Sequence, residues 1–352
     1  MSLHREDLPG EVLAQLRQGV VIPAHPLALT EARQLDQRHQ RALTRYYLDA
    51  GAGGLAVGVH STQFEIRDVG LYEPILRLVA ETAQAWTDQP TVMIAGLVGP
   101  PEQALAEAEV ALGLGYHAGL LSLAAHKGAG EDELIAHCRA VAERIPLIGF
   151  YLQPAVGGIL LSAEFWRRFA AIDNVVAIKV APFNRYRTLD VMRGVVAAEA
   201  EDRISLYTGN DDHILLDLVT PFAVRRGEET VVLRFKGGLL GHWCAWVKPA
   251  VDYLAQAHAA AAGTVSAELL QLDSQITDAN GALFDVANDF AGCIPGCHEV
   301  LRRQGLLRGT WCLNPDEVMS PGQAEELDRV IADYPHLCDD EFVAENLARW
   351  LA

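Results

Sequence analysis

Eight short apolar runs recur along this chain, starting roughly 30 residues apart, and this rhythm limits the possible folds more than any other feature. They are Val20–Pro23, Leu55–Gly58, Val92–Ala95, Gly119–Leu121, Leu147–Phe150, Val175–Ile178, Ile204–Tyr207 and Gly238–Leu240. The spacing is that of one βα unit, and helical patterns fill the gaps. Pro100-Pro101-Glu102 opens a helix through Leu112, with prolines and an acid where a first turn accepts them. Glu131–Arg144 places Leu134, Cys138 and Val141 on one helical face. Ser162 is positioned to cap a helix carrying Phe165, Trp166 and Phe169. Parallel strands need crossovers, so eight strand–helix repeats predict a closed (β/α)8 TIM barrel. An open doubly wound sheet is the alternative, but no G-x-G-x-x-G follows the first run. Beyond about residue 255 the pattern is helical only. The expected division is a barrel over 1–255 and a C-terminal helical region over 256–352, packed on the barrel or on a neighbouring subunit.

Composition narrows the function classes. The 352 residues carry a net charge of −18, which argues against nucleic acid or an anionic membrane surface as partner. Half of them are hydrophobic, enough for a large core. No apolar run is long enough to span a membrane, and Met1–Asp7 lacks the apolar core of a signal peptide. A cytoplasmic protein is expected. Six cysteines occur. Cys293-Ile-Pro-Gly-Cys297-His298 can be read as half of a metal site completed by Cys312 or Cys338, but the spacing is unusual for zinc, and buried free thiols are the ordinary outcome.

One run ends in a charge. Val175-Val176-Ala177-Ile178 leads straight into Lys179, then Val180-Ala181-Pro182. Burial disfavours an ammonium, so a lysine closing a buried strand needs a reason. The chain has only four lysines among its 28 basic residues. Arginine is its default cation, and lysine differs in being able to lose its proton. A desolvated amine is the nucleophile that forms a Schiff base with a carbonyl. The bland alternative is a lysine reaching past the strand end to water.

In a barrel the active site lies at the carboxyl ends of the strands. Those ends are polar here: His60-Ser61-Thr62-Gln63, His126-Lys127, Tyr151-Leu152-Gln153-Pro154, Lys179, and Thr208-Gly209-Asn210-Asp211, with Lys236-Gly237-Gly238 at the eighth run. Each has an ordinary structural explanation, as a loop histidine, a core aromatic or a helix cap. Their joint placement on one rim points to a site.

These motifs carry a resemblance. Gly54-Leu-Ala-Val-Gly58-Val-His-Ser-Thr-Gln-Phe64 resembles the G-x-x-x-x-G-T-T-G-E-F of the dihydrodipicolinate synthase / N-acetylneuraminate lyase family. Ala95-Gly96 follows the third run as it does there. Phe150-Tyr-Leu-Gln-Pro154 resembles Y-N-x-P, Ile178-Lys179 resembles the family's G-I-K, and Thr208-Gly-Asn-Asp211 resembles S-G-x-D. The match spans approximately residues 15–255. It implies a barrel, a homo-oligomer (dimer or tetramer), no metal or organic cofactor beyond a covalent Schiff base on Lys179, and a small carbonyl substrate such as a 2-oxo acid. The family roles it carries over are Lys179 as nucleophile and Tyr151 as proton shuttle.

The departures are informative. His60 and Ser61 replace the two threonines that hold a keto-acid carboxylate, and Thr62 and Gln63 replace the motif's Gly and Glu. His126 falls where the synthase branch has a relay tyrosine, and Val156 where it has a carboxylate-binding Arg. These changes argue against the synthase reaction itself. The expected chemistry is C–C cleavage or loss of water through a Lys179 iminium. In that reading Tyr151 works with His60 or His126, Ser61, Thr62 and Asn210 bind substrate, and Gly237 and Gly238 let the backbone approach it. Two alternatives compete: a metal-dependent barrel using His60, His126, His213, His242 and Asp211, and a non-catalytic binder of a carbonyl metabolite.

Overall fold

The computed structural model describes residues 2–352. All eight apolar runs form strands, several longer than the runs themselves. β1 is Val21–Pro23, β2 Gly54–Val57, β3 Val92–Leu97, β4 Ala118–Leu121, β5 Leu147–Leu152, β6 Val175–Ala181 and β7 Ser205–Thr208. β8 (Phe222–Arg226) and β9 (Glu229–Leu233) follow, then β10, Gly237–Leu240. Eight of them form one parallel sheet in the order β1-β10-β7-β6-β5-β4-β3-β2. The parallel bridge Ala24↔Ala56 and the His25 amide, 2.8 Å from the Ala56 carbonyl, bring its two edges together. The result is a (β/α)8 barrel.

Alternation along the strands separates two apolar layers. Ile22, Ile94, Leu120, Ile148, Phe150, Val176 and Leu239 point into the barrel. Val57, Ala95, Leu121, Tyr151, Ile178 and Val180 point out, against the helices. The helix Gly10–Gln18 closes the amino end of the barrel: its Val12 and Leu16 join the inner layer, and the Tyr207 hydroxyl donates to the Leu16 carbonyl at 3.0 Å.

The expected helices form over Pro101–Gly113, Glu131–Ala142 and Ala163–Ala170, the last with Ser162 Oγ accepting from the Phe165 amide at 3.1 Å. The pairing of β8 with β9 is an antiparallel hairpin outside the barrel, turned at Gly227. The eighth barrel strand is followed by the helix Val247–Ala262, so the expected boundary at 255 falls inside that element. Helices Ala267–Leu283, Cys293–Arg303, Gln323–Asp333 and Asp340–Trp350 make up the carboxyl-terminal region. No helix among the described residues is long and apolar enough to cross a membrane.

Candidate active site

Lys179 sits near the carboxyl end of β6, on the inward face, paired in register with Phe150 and Tyr207. Only 7% of it is exposed, and its Nζ lies 4.5 Å from the centre of the Phe150 ring. Burial pulls its pKa below the ordinary lysine value, with the nearby Asp211 carboxylate opposing. Room for its stem depends on Gly209: a Cβ there would come within 2.7 Å of Lys179 Cε. Glycine at this point of the Thr208-Gly209-Asn210-Asp211 segment is therefore a condition of the lysine's placement.

Around Lys179 opens a narrow cavity of about 70 Å³. His60 and Ser61, from the turn after β2, face it. Desolvation and the neighbouring Lys179 charge push the His60 pKa down to about 4, so its imidazole is neutral at working pH. Asp211 also faces the cavity, and its Oδ1 accepts from the His242 amide at 2.8 Å. Burial pushes this carboxyl up, while the His242 amide and Lys179 pull it partly back. An acid, a neutral base and an amine with weakened proton affinity thus share one apolar cleft, an arrangement suited to proton transfer beside a nucleophile.

Several expected residues stand elsewhere. Tyr151 lies on the outward face of β5, its ring 5.2 Å from Trp166 and its hydroxyl bonded to the backbone of Leu161 at 3.2 and 3.3 Å. Strand alternation decides this: Phe150 and Leu152 take the inward positions, so the residue between them faces the helices. His126 packs against His137 at a tilt of 38° with ring centres 4.5 Å apart and reaches the Gly99 carbonyl at 3.2 Å, away from the cavity. Thr62 is a brace, its hydroxyl donating to the His25 carbonyl at 2.7 Å and accepting from the Gly58 amide at 2.9 Å. Asn210 is another, accepting from the Phe183 amide at 3.0 Å and donating to Asp217 at 2.9 Å.

Gly237 and Gly238 begin β10 and so stand at the amino end of the barrel, opposite the cavity. A Cβ would strike the Val20 carbonyl oxygen at 2.4 Å in one case and the Trp243 ring at 2.6 Å in the other. They serve strand packing. Lys236, just before them, shares that end. The histidines of the metal alternative are dispersed as well: His213 pairs with Asp273 at 3.3 Å, and His242 Nδ1 accepts from Asn280 at 3.3 Å. Among the described residues no three His, Cys, Asp or Glu side chains are grouped to hold a metal ion. All six cysteines are free thiols.

The carboxyl-terminal region supplies what the strand ends alone do not indicate. Phe284, Phe290, Cys293, Ile294, Cys297 and His298 form one wall of the cavity. The sequence marks part of this wall, Cys293 to His298, through its density of reactive side chains, but nothing local says that it reaches the barrel mouth. Phe290 meets Phe183, from the turn after β6, edge to face with ring centres 6.0 Å apart. Gln63 Oε1 ties the β2 turn to the same region by accepting from the Leu313 amide at 2.6 Å.

Solved structures with this fold include a dihydrodipicolinate synthase from Aquifex aeolicus, 17% identical with a TM-score of 0.74, covering 91% of this chain and 99% of that one. A lysine-bound synthase from Cyanidioschyzon merolae is 19% identical at a TM-score of 0.74, over 90% and 98% of the two chains. An N-acetylneuraminate lyase from Fusobacterium nucleatum is 14% identical at 0.72, over 91% and 99%. No curated protein matches the sequence. The model of the dihydrodipicolinate synthetase family matches residues 18–223, well over half of the chain. With the barrel, the strand-end lysine and that match together, the chain belongs to the dihydrodipicolinate synthetase family.

Proposed function

We propose that this family member is a Schiff-base lyase, an aldolase or hydro-lyase, acting on a 2-oxo acid or a related carbonyl compound through Lys179. The observation that carries the reading is the lysine itself: inward-facing at the carboxyl end of β6, buried against Phe150, and lowered in pKa by burial. A neutral fraction of this amine attacks the substrate carbonyl carbon. The carbinolamine loses its hydroxyl as water, leaving an iminium on Nζ. The iminium then accepts the electron pair released when the neighbouring C–C bond or C–H bond breaks.

Proton movements fall to groups beside the lysine. His60 is neutral and Asp211 is readily protonated, so one accepts and the other donates as carbinolamine, enamine and leaving oxygen form. Tyr151 and His126 have no part in this. Ser61 and neighbouring backbone amides hold the carboxylate of a 2-oxo acid. Among the described residues no arginine lines the cavity, which fits poorly with a substrate bearing a second carboxylate and so argues against the synthase reaction. The reading includes the homo-oligomeric assembly implied by the resemblance, which sedimentation would measure.

The test is a panel of 2-oxo acids incubated with the protein and borohydride, read by intact mass. One covalent increment matching the reduced imine of a panel member is expected. Ligand binding with no increment from any member would favour the non-catalytic binder.

A further inference from the structure

Gln153 follows the last residue of β5 and precedes a proline, a position that favours extended backbone; it has φ −65° and ψ 142°. Its carbonyl accepts from the Val156 amide at 3.3 Å and from the Gly158 amide at 3.0 Å, which closes the turn after the strand. That turn is tight. Gly157 has a left-handed φ of +102°, and a Cβ on Gly158 would lie 1.9 Å from the Leu152 carbonyl oxygen. The backbone of Gln153 is thereby fixed at the rim of the barrel.

Its side chain has no such ties. Gln153 is only 8% exposed and lines the cavity, and among the described residues no group hydrogen-bonds its amide. The inaccessible glutamine amide atoms left without a partner belong to Gln15, Gln63 and Gln304, so the Gln153 amide keeps its access to the cavity. Buried polar groups are nearly always partnered, and an open one at a cavity wall calls for a partner from within. Around it the lining is apolar: Leu152, Val156, Ala181 and Phe183.

Register says which part of a substrate it meets. Phe150 pairs with Lys179 and Leu152 with Ala181, so Gln153 stands three residues, about 10 Å at ~3.3 Å per residue, further toward the mouth than the lysine's pairing partner. It faces what lies beyond the carbonyl carbon. A second carboxylate there would be desolvated among Leu152, Val156 and Phe183 with no cation of its own. A hydroxyl both donates and accepts, as a primary amide does, so it can use both ends of the side chain. We infer that Gln153 is a specificity-determining residue whose amide hydrogen-bonds a hydroxyl carried by the substrate beyond its reacting carbonyl. This rests on the reading that Lys179 holds the carbonyl.

A series of 2-oxo acids that differ only at the chain end tests this: 2-oxobutanoate, 4-hydroxy-2-oxobutanoate and oxaloacetate. Each is titrated calorimetrically into Lys179→Ala, which forms no imine, and is incubated separately with wild type and borohydride. The hydroxy acid is expected to bind Lys179→Ala about tenfold tighter than 2-oxobutanoate, the worth of one hydrogen bond. Oxaloacetate should bind more weakly than the hydroxy acid. Adding Gln153→Met, which keeps the length but not the amide, should bring the hydroxy acid and 2-oxobutanoate level. Gln153→Asn, which keeps the amide on a shorter stem, should retain part of the difference. Hydroxy acid binding no tighter than 2-oxobutanoate, a preference that survives Gln153→Met, or oxaloacetate binding tightest would each overturn the assignment. Borohydride adducts on wild type alongside any of those results would uphold Lys179 and sink Gln153 alone. The expected preference in a protein that forms no adduct with any of these acids would uphold Gln153 and sink the Schiff-base reading instead.

Discussion

The barrel half and the roof half of the cavity are built by different rules. On the barrel side each side chain's direction follows from strand alternation: Phe150 and Lys179 face in, Tyr151 and Val180 face out. On the roof side, residues more than 100 positions beyond Lys179 reach the same space through a turn of strained backbone and a tightly packed helix. The comparison teaches that the two sides of the cavity are encoded separately. A strand end places the buried lysine, and a distant helical region supplies the wall opposite it.

The largest expected effect lies on the barrel side. Lys179→Ala removes the nucleophile and should abolish turnover and adduct formation alike. Asp211→Asn keeps the shape but not the acid, and a drop in kcat of about 10²–10⁴-fold is expected. If Asp211→Asn turned over at the wild-type rate, proton transfer would have to be reassigned within the barrel half.

Smaller effects test which face of the strand matters. Tyr151→Phe removes a hydroxyl bonded only to the Leu161 backbone, so turnover should stay within about twofold while stability falls by about 1 kcal/mol. Steady-state kinetics and thermal melts separate the two. A large kinetic loss would place Tyr151 in the site after all and contradict the inward-facing assignment of Phe150.

Much of this was legible in the sequence, for reasons that differ by element. The eight strands were, because apolar runs at regular spacing leave little choice of architecture. The position of Lys179 at the end of a buried strand was, because the apolar run leads straight into it. Tyr151 stands on the outer face rather than on the cavity rim because Tyr-x-x-Pro spacing sets position along the chain but not the parity of a strand, and a shift of one residue turns every side chain to the other face. Gly237 and Gly238 stand away from the cavity for a related reason, since they begin their strand and only its carboxyl end meets the cavity. His298 could not be placed: no local pattern reports that a helix starting at Cys293 folds back over the barrel mouth.

The subtlest expected effect concerns the seam between the halves. His242 follows β10, lends its amide to Asp211, and accepts at Nδ1 from Asn280 of the carboxyl-terminal region. Burial pushes its pKa down to about 4, against about 6.5 in an unfolded chain. Between those values the unfolded chain holds the extra proton, so this group's contribution falls as pH drops from about 6.5 toward about 4. Compared with wild type, His242→Phe should therefore lose less stability on acidification, by up to about 1.4 kcal/mol per pH unit. Parallel stability–pH curves from denaturant unfolding would show that this imidazole is not buried neutral.

The central claim is that the buried strand-end amine, rather than any other lysine, forms the covalent link to substrate. Peptide mapping of the borohydride-reduced adduct tests it most directly. The account predicts modification at Lys179 and none in Lys179→Ala. An adduct at Lys236, at the opposite end of the barrel, that persists in Lys179→Ala would contradict it.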